Sequence, residues 1–198
     1  MKINSLFLML PVMLLSLAGC DKNDDGTPPP QGTSMTIEVK AYDKWTYFSF
    51  ENGIVPEPDD FTTSQAWDLA FHRWDVRTNG GQSGAGQGGT YMLTQTTFDN
   101  LPAPDASRLV TDGTILTYMQ VPDMTGENNQ RVEVPASTEL GKWMTVKMAT
   151  TPPGYEMAAN VFMVRTADGK WAAMRFTNYM NDKAEKGYAS FTYLYPLN

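Results

Sequence analysis

WDLAFHRWDVRTNGG, residues 67–81, is dense in aromatic and branched side chains as far as Val76 and ends in turn residues. Apolar positions do not recur every three or four residues, so the stretch reads as a strand rather than a helix. Aromatic and β-branched residues fit a pleated, half-buried surface. Counting by twos along Trp67 to Val76 places His72 on one face with Ala70, Trp74 and Val76.

The same pattern repeats outward in both directions. Lys44 to Phe50, Thr90 to Thr96, Thr114 to Val121 and Trp143 to Met148 are similar runs, as are Asn160 to Thr166, Trp171 to Phe176 and Gly187 to Tyr195. Pro56, Pro58, Pro102, Pro104, Pro152 and Pro153 fall between runs, where a missing N–H breaks no ladder. Asp168-Gly169 predicts a tight hairpin with positive φ at both central positions, so the last two or three strands should form a meander. The expected fold is all-β: one strand-rich antiparallel domain, without internal repeats.

The N-terminus has a different character. Lys2 followed by the apolar run Leu6 to Leu17 is a secretory signal, too short for a comfortable membrane span. Leu17-Ala18-Gly19-Cys20 is a lipobox, which makes Cys20 the cleavage and lipidation site. Cys20 is also the sole cysteine, so disulfide, zinc-thiolate and thiol chemistry are excluded once it is acylated. Asp21 to Gln31 is polar and proline-bearing, a tether. The expected division is residues 1–19 signal peptide, 20–33 lipidated tether and 34–198 folded domain. Removal of the signal leaves 14 basic against 22 acidic residues, which excludes nucleic acid as partner and leaves the membrane contact to the lipid anchor. The Lys with nearby Asp residues straight after Cys20 resembles a surface-export signal of lipoproteins, which implies an outer-membrane location facing the cell exterior.

Catalytic patterns are thin. The chain has one histidine, His72, placed among aromatics where a structural role is the better reading, and no serine stands in a G-x-S-x-G elbow. No spacing singles out a catalytic pair among the acidic residues. The glycine run Gly80 to Gly89 lacks the Lys-Ser/Thr ending of a phosphate loop and reads as a mobile or tightly turned connector. Methionine is abundant, with ten remaining after the signal is removed. Its thioether is both an adaptable core filler and a soft ligand for copper(I) or haem iron. Met119, Met124 and Met148 stand at the ends of strand patterns or in the turns beyond them.

KWTYFSF at residues 44–50, WDLAFHRWDVRTNGG at 67–81, the glycine loop after it, VFMVRTADG at 161–169 and KGYASFTYLYP at 186–196 together resemble the HmuY family of haem-binding lipoproteins from Bacteroidota. The resemblance implies an all-β domain that binds one haem b, iron protoporphyrin IX, in an exposed cleft. It implies capture from host haem proteins, delivery to a TonB-dependent outer-membrane receptor, and no bond-making reaction. A well-known member of the family holds iron with two axial histidines, neither of which corresponds to His72. One axial position, five residues after a tryptophan, maps to Met148 by way of Trp143. The other maps to Met119 at a strand end or to Met124 anchored by Pro122-Asp123, and Met119 is preferred because strands hold a ligand more firmly than turns. Two thioether ligands would favour ferrous over ferric iron. The alternative is a glycan-binding surface lipoprotein using some of the 23 aromatic residues as sugar platforms. A purely structural or adhesive surface protein is the third reading.

Overall fold

The computed structural model describes residues 32–95, 97–147 and 154–197. A five-stranded antiparallel sheet carries, in spatial order, β1 (Thr33–Glu38), β13 (Lys186–Leu194), β12 (Trp171–Met180), β11 (Phe162–Arg165) and β6 (Gly89–Met92). A four-stranded sheet carries β3 (Gly53–Val55), β2 (Thr46–Ser49), β4 (Leu69–His72) and β5 (Asp75–Thr78). Two further hairpins project separately, β7 (Gly113–Thr117) with β8 (Val132–Ala136) and β9 (Met144–Lys147) with β10 (Gly154–Met157). The all-β, antiparallel expectation holds, and β11, β12 and β13 form the expected meander.

The two sheets face each other across the main core. Burial alternates strictly along β13, so Ala189, Phe191 and Tyr193 point inward while Tyr188, Ser190 and Thr192 do not. They meet Phe48, Leu69, Phe71 and Val76 of the other sheet. Phe71 lies stacked on Phe191, with centroids 5.5 Å apart. Trp143, from a short 3-10 helix at Leu140–Trp143, closes the end of this core by stacking on Phe176 at 4.2 Å. Truncating one such buried aromatic costs about 3–5 kcal/mol.

The strand β4 is buried on both faces. Leu69 and Phe71 face the main core, whereas Ala70 belongs to a second cluster with Trp45, Tyr47, Trp67 and Ala136, to which β7–β8 contributes Ile115 and Val134. The polar residues of the 67–81 stretch are structural stitches. Asp68 accepts from the amides of Phe50 and Ala167, tying the ends of the two sheets together. Asn79 donates to the carbonyls of Ser64 and Trp67 and accepts from the Gly86 amide. The glycine run folds tightly round Asn79, and a Cβ at Gly80 would sit only 2.1 Å from the Gly88 carbonyl oxygen. It is therefore the tightly turned connector of the two expected.

Four expectations are corrected. Trp67 to Val76 is not one strand: β4 and β5 pair as a hairpin, His72 opposite Asp75, with Arg73-Trp74 as its two-residue turn. Val76 accordingly joins the main core instead of sharing a face with His72. At Asp168-Gly169 only Gly169 has positive φ, at 89°. The Gly169 amide returns to the Thr166 carbonyl and the Thr166 amide to the Lys170 carbonyl, so a four-residue turn that ends in the left-handed Gly169 replaces the two-residue one. The run from Thr114 ends as a strand at Thr117, opposite Val132, so Met119 lies in the connecting segment. The run from Trp143 begins as a strand only at Met144, because Trp143 still belongs to the 3-10 helix.

Candidate functional site

A cleft of about 540 Å³ opens where the two projecting hairpins meet the end of the four-stranded sheet. Tyr42, Arg73 and Trp74 form its base. Tyr118, Pro122 and Arg131 come from the segment joining β7 to β8, and Val146 and Tyr155 from β9 and β10. Its walls are thus mainly aromatic and aliphatic, and its charges are two guanidiniums. This volume is in the range of a pocket for one small organic ligand.

The turn at the base is held from behind. The indole N–H of Trp143 donates to the Trp74 carbonyl at 2.8 Å. Arg73 sits in the left-handed region, φ 55°, where a two-residue hairpin turn ordinarily places glycine or asparagine. A residue with a Cβ pays about 1–2 kcal/mol for this conformation. The Arg73 guanidinium donates to the Lys40 carbonyl at 3.0 Å and covers the rings of Tyr42 and Trp74, at 4.4 and 5.8 Å. Arg131 lies 5.1 Å over the Tyr118 ring, and the Lys186 ammonium 4.7 Å over Tyr155. Aromatic faces and cations are therefore interleaved round the opening.

Behind the base lies Tyr179, fully buried, with its ring against Trp143, Trp74 and Tyr155. Burial pushes its hydroxyl up to about 12, opposed by the nearby Arg73 charge. His72 is also fully buried. Its Nε2 is 2.8 Å from the Tyr42 carbonyl oxygen, its Nδ1 is 3.8 Å from the Asp75 carboxylate, and Trp45 lies 5.1 Å from its ring. It ends β4, the strand that leads into the Arg73-Trp74 turn.

The methionines singled out from the sequence fall in three different places. Met119 packs on the cluster of Trp45, Tyr47 and Trp67 and borders a small cavity of about 120 Å³ with Gln120, Glu127 and Val132. Met124 is wholly exposed. It tips a loop that Asp123 organises by accepting from Thr125 and Gly126, while its own amide donates to Asn129. Tyr118 and Pro122, which do line the cleft, bracket Met119 and precede Met124. Met148 lies outside the described residues, one position beyond the end of β9 and two beyond Val146. Cys20 is likewise outside them.

The cleft aromatics were not singled out in the sequence, because they come from four separate elements and share no motif. Tyr118 is the one with a local signal, as a strand-end aromatic next to a candidate methionine. Among the described residues no group of three or more His, Cys, Asp or Glu converges on a point.

Comparison with known proteins places this architecture. A HmuY-like protein of Bacteroides vulgatus, described as haem-binding, is 28% identical, covers 85% of this chain with 93% of its own, and superposes with a TM-score of 0.69. A lipoprotein of Bacteroides fragilis is 26% identical, with 83% and 89% covered and a TM-score of 0.61. The apo form of a HmuY analogue from Tannerella forsythia is 26% identical, with 86% and 97% covered and a TM-score of 0.62. No curated protein matches the chain in sequence. Residues 41–193, which include every residue lining the cleft, match the model of the HmuY protein family, and the chain belongs to that family.

Proposed function

We propose that this chain binds one haem b as cargo in the cleft between the two hairpins, and catalyses no reaction on it. The observation that carries the reading is the cleft itself: Tyr42, Trp74, Tyr118 and Tyr155 offer flat apolar faces, and Arg73 and Arg131 offer two cations. A haem is a flat apolar ring bearing two carboxylates, so the residues present suit it in both respects. A neutral sugar would use the aromatic faces and leave the guanidiniums without a role, which places the glycan reading second. The description of the Bacteroides vulgatus relative as haem-binding supports the same reading.

Iron would be held by Met148 and a methionine of the β7–β8 connecting segment, Met119 or Met124. Neither of the latter two lines the cleft as folded here. Met119 would give up its packing on the Trp45 cluster to reach iron, whereas Met124 leaves nothing buried behind it. The lipobox at Cys20 supports anchoring in the outer membrane with the domain outward, where the protein takes haem from host haem proteins and passes it to a TonB-dependent receptor.

The deciding measurement is an absorption titration of the purified domain with haem. A saturable Soret band at one equivalent is expected. A spectrum identical to that of free haem at every ratio would overturn the reading.

A further inference from the structure

We infer that the cleft recognises the tetrapyrrole itself and accepts it without iron, so that metal-free protoporphyrin IX is a second ligand of the same site. The inference rests on the haem reading and widens the ligand class from haem to planar porphyrin dicarboxylates.

The residues lining the cleft divide by what they can meet on a ligand. Tyr42 and Trp74 at the base, Tyr118 on the β7–β8 side, and Val146 with Tyr155 on the β9–β10 side present apolar surface. Arg73 and Arg131 present charge, each beside one of those rings: Arg73 lies 4.4 Å from the centre of Tyr42, and Arg131 5.1 Å from that of Tyr118. Apolar surface takes up a porphyrin ring and a guanidinium its acid groups. Neither interaction depends on a metal at the centre of the ring, and the metal-free compound keeps both the ring and the two acids.

The described candidates for holding iron stand apart from these walls. Met119 packs against Trp45, Tyr47 and Trp67 and borders a separate cavity of about 120 Å³. Met124 is wholly exposed on a loop fastened to itself, in which the Asp123 amide donates to the Asn129 side chain and that side chain donates back to the Asp123 carbonyl. For either thioether to reach iron in the cleft, the segment joining β7 to β8 must rearrange. It gives up packing in the first case and hydrogen bonds in the second.

The bond to iron is therefore offset by the contacts broken to form it, whereas a metal-free ring enters the cleft as folded. Ring burial and acid pairing are common to both compounds, so their affinities should lie close together. The comparison is sharpest with ferric iron, which a neutral thioether favours less than ferrous.

The test titrates metal-free protoporphyrin IX and ferric haem separately into the purified protein, following tryptophan quenching for both and porphyrin emission for the first. The metal-free compound should bind one equivalent with a Kd within about tenfold of that of ferric haem. Added haem should displace it one for one. Arg131→Glu, at an exposed position on the rim, should weaken both compounds by the same factor, roughly 3- to 10-fold, since it opposes the acids that they share. Metal-free binding weaker than ferric haem by more than about tenfold would overturn the inference and leave the haem reading standing, with iron ligation as the source of affinity. Metal-free porphyrin that haem fails to displace would do the same, as would an Arg131→Glu factor that differs between the compounds or an affinity unchanged for both. Binding of neither compound would overturn the haem reading itself.

Discussion

The indole N–H of Trp143 is bonded to the carbonyl oxygen of Trp74 at 2.8 Å, which ties the turn at the base of the cleft to the start of the hairpin forming one of its walls. Trp143→Phe keeps a ring to stack on Phe176 and deletes this one bond. We expect a loss of about 1–3 kcal/mol in stability from the orphaned carbonyl, together with weaker haem binding because base and wall are no longer fixed to each other. Urea unfolding and haem titration of the same variant measure the two effects. Loss of stability with unaltered haem affinity would show that the link serves the fold alone.

Substitution separates the three candidate methionines. Met119→Ala should cost about 1–3 kcal/mol, since its side chain is partly buried against Trp45, Tyr47 and Trp67, while Met124→Ala should leave unfolding unchanged. Haem spectra then identify the ligand of the β7–β8 segment: whichever variant loses the low-spin bands supplied it. Met148→Ala should change those bands in either case.

Two neutral thioethers should make the reduced complex the tighter one, because axial methionine stabilises ferrous iron relative to ferric. Titration with and without dithionite compares the two states. Equal affinities would count against a pair of methionine ligands.

Asp112 gives the fold a pH dependence that can be isolated. Its carboxyl accepts from the Thr78 amide and hydroxyl and from the Ser83 hydroxyl, yet burial dominates and pushes it from 3.8 up to about 6, against the pull of the Arg77 charge. A raised carboxyl binds its proton more tightly in the folded state, so its contribution is fully present below about pH 4 and is lost as pH rises through about 6. The stability difference between Asp112→Asn and wild type should therefore move in favour of the variant by on the order of 2–3 kcal/mol across that window and be flat above pH 7. Chemical unfolding at intervals from pH 4 to 7.5 measures it. A difference that does not change with pH would mean that Asp112 is ionised throughout.

Most strands were legible because period-two burial leaves aromatic and branched residues in recognisable runs, as along β13. The break at Arg73 was not, since a two-residue hairpin is normally announced by Gly or Asn and this one is built from Arg-Trp. β8 was hidden by Pro135, which sits in a hairpin strand with one free edge. For the site, the sequence pointed to residues of an unusual type, the methionines, and passed over common residues whose importance lies in convergence. Tyr42, Trp74, Tyr118 and Tyr155 are separated by up to 113 positions and meet only because two hairpins project from the same end of the sandwich. The 67–81 stretch was informative for a different reason: Asp68 and Asn79 are tied to so many backbone groups that their motif marks the scaffold, with only Arg73 and Trp74 of that motif lining the cleft.

β13 also sets a direction. Thr33 pairs with Tyr193 near one end of the strand, and Lys186, at its other end, covers the cleft residue Tyr155. The seven residue-to-residue steps between those points span roughly 23 Å of extended chain. Under the anchoring proposed above, β13 would be a stand-off post, with the leash joining its foot and the mouth of the cleft opening at its head.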